Sequence, residues 1–394
     1  MRFLRLPVTV RGAAAAAVFS LAALAADTGG PLHLLIANDD TGTVFPQNTL
    51  SFYAIGADGG LGPATRVSTG GNGNAGGYFG LARVLVTPGS DACVYASNAQ
   101  SENIAGVPLR TRKLAGVFSG SHPDNRLARN GIGMAIGGSH LYATFSGSGN
   151  IGTFQIQPGC TLKFVGDVHA KGLKGGLAEG MAIHGNMLVA AYGDGSIESF
   201  DISGGVPVSH GDAQFSTGSK DDHAPGAVDI TRDGHYAIFG GGSTASGVEV
   251  SDISSGKLTP TTVYDLGTAW NSGSVRLSPD ERVLYVSNSS GGRVTAAFFD
   301  KRTGKLRKGC TSSPLKGFYT KFTYVGGVAT ELATGTGGLL YVPEFASEGR
   351  SYIGMLRFAS TGAGCTLTET ANSPVAGTPA SALLSLGVYP PRPF

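Results

Sequence analysis

The chain has 394 residues, a formal net charge of +2 and only 14% charged residues, and it contains 63 glycines. It lacks the long run of lysine and arginine that neutralises phosphates, so we do not expect a nucleic-acid partner. Glycines without a collagen-like period, placed among short runs of Val, Ile, Thr and Tyr, predict many short strands joined by tight turns.

The N-terminal segment has the layout of a secretory signal peptide. Arg2, Arg5 and Arg11 make its start positive, residues 13–24 are apolar, and Ala-Leu-Ala at residues 23–25 is a small-residue cleavage site. The alternative is a membrane anchor, but a membrane span needs about 20 apolar residues. We therefore predict a signal peptide over residues 1–25 and a secreted or periplasmic mature chain without a membrane span.

One pattern recurs along the mature chain at a period of roughly 50 residues. Its clearest copy has an inner strand at 274–277, a second strand at 283–288, a third at 294–300 and a fourth that begins near 303–306. Six inner strands are predicted to start at residues 84, 134, 181, 228, 275 and about 329. A four-stranded unit of this length is typical of a propeller blade, so the interior of the chain supplies six blades.

The two ends of the chain supply a seventh blade. Residues 32–38, 49–55 and 61–67 are predicted as second, third and fourth strands, and residues 382–388 as a first strand. A shared blade removes the open seam that would leave strand edges unpaired. A β-helix or a pair of sandwiches would not explain these complementary fragments. We predict an all-β, seven-bladed propeller with four-stranded blades, a single domain over residues 26–394 that both termini close.

The four cysteines favour disulfides, because an exported chain with an even number of cysteines is normally cross-linked. Their spacing matches no zinc motif. Cys93 and Cys160 lie at hairpins that project from one face of neighbouring blades, and Cys310 and Cys365 are placed in the same way. We predict the pairs Cys93–Cys160 and Cys310–Cys365; the alternative is four free thiols.

Three short stretches of the fifth repeat carry a family resemblance: Ser-Pro-Asp at 278–280, Leu-Tyr-Val-Ser-Asn at 284–288, and Thr-Gly-Lys-Leu at 303–306. These stretches resemble the YVTN-repeat and lactonase-type propellers, the family of bacterial 6-phosphogluconolactonase and fungal carboxymuconate cyclase. The resemblance implies a seven-bladed propeller and, for the lactonase members, action on a lactone. Those enzymes carry Pro-Arg-His where this chain has Pro-Gly-Ala at 225–227, and Asn-Arg-Gly where Asn288 precedes Ser-Ser-Gly.

Candidate site residues lie on loops that join second to third and fourth to first strands. These loops share the face at the mouth of the central channel, which is the expected ligand site. The catalytic candidates are His223, which adjacent Asp222 could orient as a base, and Glu179 as the partner acid. The substrate-binding candidates are Arg126, Arg129, Trp270, Asn271 and Asn288, with the arginines facing an anionic group or a developing oxyanion.

Each candidate has an alternative that involves no ligand. Asp222 and His223 could be solvated loop residues, and Trp270 could pack in the core. Three charged residues on inner strands are expected to form buried ion pairs rather than a site: Arg83, Asp229 and Arg276.

Two functions remain open. The first is binding of a small molecule or a protein partner at the channel mouth; the second is hydrolysis or isomerisation of a lactone or related small carboxylated substrate. No nucleophile elbow or phosphate-binding loop occurs, and we predict a monomer without cofactor or metal. A metal-dependent hydrolase would need acids from several blades, for which Glu179, Asp229 and Glu331 are the candidates.

Overall fold

The computed structural model describes most of the chain that follows the N-terminal segment. The described residues are 33–41, 48–73, 83–119, 133–145, 149–216, 227–240, 247–267, 274–288, 291–317, 333–334, 339–346, 350–361, 364–379 and 384–391. Within these ranges, no helix is both long enough and apolar enough to cross a membrane.

The described residues form thirty strands and one short 3₁₀ turn at Pro158–Cys160. In chain order the first fifteen are β1 (Leu34–Asn38), β2 (Thr49–Ala54), β3 (Thr65–Ser68), β4 (Val84–Val86), β5 (Cys93–Asn98), β6 (Asn103–Pro108), β7 (Gly116–Phe118), β8 (Met134–Gly137), β9 (His140–Phe145), β10 (Asn150–Gln157), β11 (Thr161–His169), β12 (Ala178–His184), β13 (Met187–Tyr192), β14 (Ser196–Asp201) and β15 (Val208–Ser209). The remainder are β16 (Gln214–Phe215), β17 (Ala227–Ile230), β18 (Tyr236–Gly240), β19 (Gly247–Asp252), β20 (Thr262–Asp265), β21 (Val275–Leu277), β22 (Val283–Asn288), β23 (Arg293–Asp300), β24 (Lys305–Thr311), β25 (Ala333–Thr334), β26 (Leu339–Ala346), β27 (Arg350–Thr361), β28 (Gly364–Glu369), β29 (Val375–Pro379) and β30 (Ser385–Tyr389).

The strands form seven antiparallel sheets, which are the blades of a propeller. We number them blade 1 (β4–β7), blade 2 (β8–β11), blade 3 (β12–β16), blade 4 (β17–β20), blade 5 (β21–β24), blade 6 (β25–β29) and blade 7 (β30 followed by β1–β3). The first strand of each blade is innermost, and the outer strand is split in two in blades 3 and 6. The predicted fold class is confirmed.

Blade 7 closes the ring, as the sequence predicts. β1 pairs on one side with β2 and on the other with β30, from Leu34 opposite Tyr389 to Asn38 opposite Ser385. The inner strand β30 in turn contacts β4 of blade 1. Strand β30, near the C-terminus, therefore connects the N-terminal strands to the ring.

The core lies between the blades rather than within one of them. The buried apolar side chains of the described residues fall into seven clusters, one for each pair of neighbouring blades. The cluster between blades 7 and 1, for example, joins Leu34, Ile36 and Phe52 to Val84 and Val94. A strand that is buried on both faces needs apolar side chains in both directions, which explains the continuous apolar runs of the second strands.

Both predicted disulfides are present. Cys93 of blade 1 is bonded to Cys160 of blade 2, with a Cα–Cα distance of 5.4 Å. Cys310 of blade 5 is bonded to Cys365 of blade 6, with a Cα–Cα distance of 5.6 Å. Each disulfide therefore links two neighbouring blades. Such bonds persist in oxidising compartments, in agreement with a secreted or periplasmic location.

The strand boundaries differ from the predicted ones in two places, and a third predicted strand is not tested. The inner strand of blade 3 begins at Ala178, three residues before the predicted start, so Glu179 lies in a strand rather than in a loop. The fourth strand of blade 7 begins at Thr65 instead of residue 61, since only an isolated bridge between Ile55 and Leu61 precedes it. The predicted inner strand near residue 329 lies outside the described residues, apart from Ala333–Thr334.

Candidate functional site

Two of the eight sequence-predicted site residues lie in the described part of the chain, namely Glu179 and Asn288. The other six lie outside the described residues: Arg126, Arg129, Asp222, His223, Trp270 and Asn271. The described part of the candidate site therefore consists of Glu179 and the groups around it.

Glu179 sits at the head of inner strand β12, at an irregularity in the pairing with β13. Ala178 pairs with Tyr192 and Gly180 with Ala191, which leaves Glu179 as the extra residue of a bulge. A bulge of this kind redirects a side chain out of the regular alternation of the strand. The Glu179 carboxyl consequently points toward Gly193, where a Cβ atom would lie only 2.6 Å from Glu179 Oε1. Glycine at position 193 makes room for the carboxyl.

Asp194, next to Gly193, anchors the preceding loop. Its Oδ2 accepts hydrogen bonds from the backbone N–H groups of Lys174 (2.7 Å) and Gly176 (3.1 Å). Its Oδ1 accepts from the N–H (3.0 Å) and the hydroxyl (2.5 Å) of Ser196. The same hydroxyl oxygen accepts the N–H of Leu173. The loop between β11 and β12 is thereby fixed to the turn between β13 and β14.

The two neighbouring carboxyl groups have opposite pKa shifts. Burial, with a smaller contribution from the Asp194 carboxylate, raises the pKa of Glu179 from 4.5 to about 7. Partial burial would also raise the pKa of Asp194, but the hydrogen bonds from Ser196, Lys174 and Gly176 outweigh it and lower that pKa. Carboxyl pairs with pKa values pushed apart in this way are suited to acid and base roles. Asp194 stays ionised near neutral pH, whereas Glu179 exchanges its proton there.

Tyr192 ends the second strand of blade 3 beside this pair. Its hydroxyl donates to Glu198 Oε2 at 2.9 Å, and the hydroxyl of Ser209 donates to Glu198 Oε1 at 2.5 Å. Burial raises the pKa of the Tyr192 hydroxyl, and the Glu198 carboxylate adds to this shift. Tyr192 therefore acts as a neutral hydrogen-bond donor.

A second polar group lies at the same face, where blades 7 and 1 meet. Arg83 and Asp40 form an ion pair of 2.6 Å (Nη1 to Oδ2), with both side chains at most 3% exposed. The amide of Asn38 donates to the backbone oxygens of Arg83 and Ser97, both at 2.9 Å. The buried ion pair expected for Arg83 is thus present, and it joins the closing blade to blade 1.

Asp229 also braces neighbouring blades. Its Oδ2 accepts the backbone N–H of Leu277 in blade 5 at 2.8 Å, and its Oδ1 accepts that of Ile230 at 3.0 Å. These contacts favour the structural interpretation of Asp229 over a role in a metal centre. Across the described residues, His, Cys, Asp and Glu side chains form no group of three or more that could hold a metal ion.

Asn288 ends the second strand of blade 5. It is 4% exposed, and its Oδ1 accepts the backbone N–H of Gly291 at 3.1 Å. This contact fixes the turn that follows β22. A role for Asn288 in substrate binding stays a prediction.

Glu344 is a buried acid whose properties the sequence pattern does not reveal. In the repeat it aligns with Asn98 and Asn288, which end the second strands of blades 1 and 5, whereas its own strand β26 continues to Ala346. Its side chain is 1% exposed. Burial, assisted by Glu369, raises its pKa to about 8, against smaller opposing effects of the Gly317 backbone and Lys316. In the sequence, Pro-Glu at 343–344 stands where the clearest repeat has Ser-Asn at 287–288, and this change marks the position as unusual.

Seven four-stranded sheets closed by strands from both termini define the class of this protein, a seven-bladed β-propeller. No protein-family model and no curated protein matches the sequence. Solved structures match the fold. A Lactobacillus plantarum protein superposes with a TM-score of 0.63 at 12% identity, over 90% of this chain and 99% of its own.

Two lactonase-type propellers are also similar in structure. The periplasmic gluconolactonase of Pseudomonas aeruginosa matches with a TM-score of 0.53 and 16% identity, over 71% of this chain and 82% of its own. A Bacteroides fragilis protein provisionally named a 6-phosphogluconolactonase matches with a TM-score of 0.54 and 16% identity, over 70% and 79%. At these identities the likeness establishes a shared fold.

Proposed function

We propose that this chain is an exported propeller that binds a small carboxylated or lactone-like molecule at the channel-mouth face, with Glu179 as the central contact. The observation that carries the proposal is the pKa of Glu179, about 7, beside an Asp194 that stays ionised. A carboxyl group that is partly protonated at neutral pH can donate a hydrogen bond to a ligand carbonyl or carboxylate. Perturbed acids of this kind are concentrated at functional sites.

The proposal assigns the remaining predicted residues to the same ligand. Arg126 and Arg129 would pair with its anionic group, since a guanidinium matches a carboxylate in shape and charge. Trp270, Asn271 and Asn288 would supply further contacts. This assignment is supported by their positions in the sequence, on segments that we expect at the same face as Glu179.

A second candidate function is hydrolysis or isomerisation of the lactone. In the hydrolytic version His223, oriented by Asp222, takes a proton from water as the water attacks the lactone carbonyl carbon. Glu179 gives its proton to the ring oxygen when the carbon–oxygen bond breaks, and the product is a hydroxy acid. The raised pKa of Glu179 favours this candidate, because a general acid must carry a proton at the working pH.

The test uses glucono-δ-lactone and gluconate as probes. Binding is measured by calorimetry near pH 6, and lactone opening by proton release in a pH-stat against the uncatalysed rate. We expect Glu179→Ala, which removes the donor, to weaken binding, whereas Asp91→Ala, which removes an exposed carboxylate from the turn between β4 and β5 at the opposite face, leaves it unaltered. Unchanged binding and turnover in both Glu179→Ala and His223→Ala would rule the site out. Binding without turnover supports the first candidate, and turnover that His223→Ala abolishes while binding persists supports the second.

We further propose that residues 1–25 are a signal peptide and that the mature chain is one propeller domain over residues 26–394. The two interblade disulfides support export, because such bonds form in oxidising compartments. Mass spectrometry of the N-terminus of the exported protein tests this. We expect the chain to start at Ala26 or Asp27, and a mature protein that still starts at Met1 would contradict it.

A further inference from the structure

We propose that blade 5 carries a second binding surface, for a linear anionic polysaccharide, on the side of the propeller opposite the channel mouth. The surface consists of five cations on the turn between β23 and β24 and on the outer strand β24 itself. We call it the basic edge: Lys301, Arg302, Lys305, Arg307 and Lys308. All five side chains are exposed.

Folding, rather than a continuous basic run, brings these cations together. Thr303, Gly304 and Leu306 interrupt them in the sequence. Gly304, with a φ of 66°, completes the turn, and Leu306 points inward to the core between blades 4 and 5. The lack of a long basic run argues against a nucleic-acid partner, and it leaves open the binding of other polyanions by this short cluster.

The basic edge is held rigidly. Asp300 accepts the backbone N–H of Arg302 at 3.0 Å and the hydroxyl of Thr303 at 2.7 Å, which fixes the turn. At the far end of β24, the Cys310 disulfide ties the strand to blade 6. A preorganised surface loses little conformational entropy when a ligand binds.

Within the described structure, none of these five charges forms an ion pair within 4 Å. The Asp300 carboxylate offsets part of the charge of Arg302. The whole chain carries a formal net charge of only +2, so the remainder of the molecule is net negative. Five of the 29 cations lie within the eight residues 301–308, which creates a local positive field for anions.

Protection of a strand edge from aggregation does not account for this concentration. Charged residues on outer strands commonly serve that purpose. The outer strands of blades 1 and 3, however, expose Val117 and Val208 and no cation, and that of blade 2 exposes Val165 with a single lysine, Lys163. Charged residues therefore do not protect every outer strand. Five cations on blade 5 are more than would be needed to prevent its outer strand from pairing with another chain.

The surroundings of the basic edge disfavour a lipid bilayer. Within the described ranges, every exposed large apolar side chain lies on blades 1 to 3 or on the loop that joins blades 2 and 3: Leu114, Val117, Val165, Leu173, Val208 and Phe215. The basic edge consequently has no apolar neighbour that could insert beside anionic headgroups.

The surroundings also disfavour nucleic acid, because single strands bind by stacking their bases on exposed aromatic rings. The ring of Phe298 is covered by the Arg307 guanidinium at 4.4 Å, and Tyr236 packs against Phe299. What remains is an extended row of lysine and arginine side chains. Such a row suits the repeated sulfate or carboxylate groups of a polysaccharide, which arginine can bind in bidentate fashion.

The test compares two charge-reversal variants of the full chain. Lys301→Glu with Lys305→Glu alters the basic edge. Arg110→Glu with Lys113→Glu makes the same change in net charge in the corresponding turn of blade 1, between β6 and β7, where both side chains are also exposed. Heparin affinity is measured as a function of salt, and a single-stranded oligonucleotide and phosphatidylglycerol vesicles serve as the other probes.

We expect the wild type to bind heparin at low salt, with log affinity falling linearly with log salt. The basic-edge variant should lower that slope by about 2 and elute at lower salt, while the blade 1 variant behaves as wild type.

The proposal is overturned if the wild type does not bind heparin, or if both variants lose affinity equally. It is also overturned if the oligonucleotide binds as tightly as heparin, or if vesicles bind and heparin does not. None of these outcomes bears on the Glu179 site.

Discussion

Glu179 and Asp194 are neighbouring carboxyl groups that differ in charge at neutral pH. Asp194 accepts four hydrogen bonds and remains ionised, and its negative charge helps to keep a proton on Glu179. The arrangement is local, since Asp194 lies in the turn after β13 and Glu179 is the bulged residue of β12 beside that turn. One turn of blade 3 therefore fixes the loop before β12 and adds to the effect of burial on the protonation of Glu179.

Replacement of Asp194 by Asn tests the anchoring role. The amide keeps one acceptor oxygen and loses the charge, so we expect a loss of about 1–3 kcal/mol in the free energy of unfolding. Hydrogen exchange should also speed up at the N–H groups of Lys174 and Gly176. The control is Asp201→Asn, because Asp201 accepts two bonds from a single residue, Ser203, and should cost less. Equal losses in urea denaturation would contradict the anchoring role.

The Glu179→Gln variant should change the pH dependence of stability. Because the folded pKa of Glu179 is raised, the native state holds its proton more tightly than the unfolded state between about pH 4.5 and 7. The wild type therefore loses stability as pH rises through this window, by at most about 3 kcal/mol. Gln stands in for the protonated acid and avoids that loss.

We accordingly expect Glu179→Gln to match the wild type near pH 4.5 and to be the more stable protein at pH 8. Thermal unfolding at both pH values provides the measurement, with Asp91→Asn, the loss of one exposed carboxylate, as a correction for net charge. A stability difference that is the same at both pH values would mean that burial does not perturb Glu179.

Arg83→Leu should be strongly destabilising, since it leaves the carboxylate of Asp40 buried without its partner. Breaking a buried pair in this way costs about 3–5 kcal/mol. The matched control is Arg282→Leu, because Arg282 pairs with Asp280 at 3.9 Å and its side chain is 84% exposed. We expect a much smaller loss there. If denaturant unfolding gives similar losses for the two variants, the Arg83–Asp40 pair does not stabilise the junction of blades 7 and 1.

Removal of residues 381–394 should open the ring. It deletes β30, and with it the pairing to β1 and the buried side chains of Leu384 and Leu386, each of which contributes about 1.5–3 kcal/mol. We expect a lower melting temperature and a larger radius of gyration in X-ray scattering. A chain that lacks only residues 392–394 retains β30 and should behave as full length. A truncated protein that melts like the full-length one would show that blade 7 is not needed for closure.

Much of the fold could be predicted from the sequence, because each blade repeats one apolar pattern and the two chain ends complement each other. The cysteine pairs were predictable for the same reason: the repeat places Cys93 and Cys160 at hairpins of one face. The repeat could not predict the bulge at Glu179, which depends on the register between β12 and β13. An inner strand predicted from its apolar residues alone starts at Met181.

The electrostatics of the site could not be predicted, because they depend on contacts between distant parts of the chain. Asp194-Gly195-Ser196 has the composition of a turn, but the sequence does not say that Asp194 also reaches Lys174 and Gly176. The same holds for Glu344. The repeat aligns it with the end of a second strand, and only the structure shows that its carboxyl is buried beside Gly317 and Gly354.

The central claim is that Glu179 is an acid that exchanges its proton near neutral pH at the ligand-binding face. Carbon-detected NMR of the Glu179 side-chain carboxyl, assigned with the Glu179→Gln variant, measures this directly across a pH titration. We expect a midpoint near 7 in the wild type and a lower midpoint in Asp194→Asn, where the neighbouring negative charge is removed. A midpoint close to the ordinary value of 4.5 in the wild type would contradict the account.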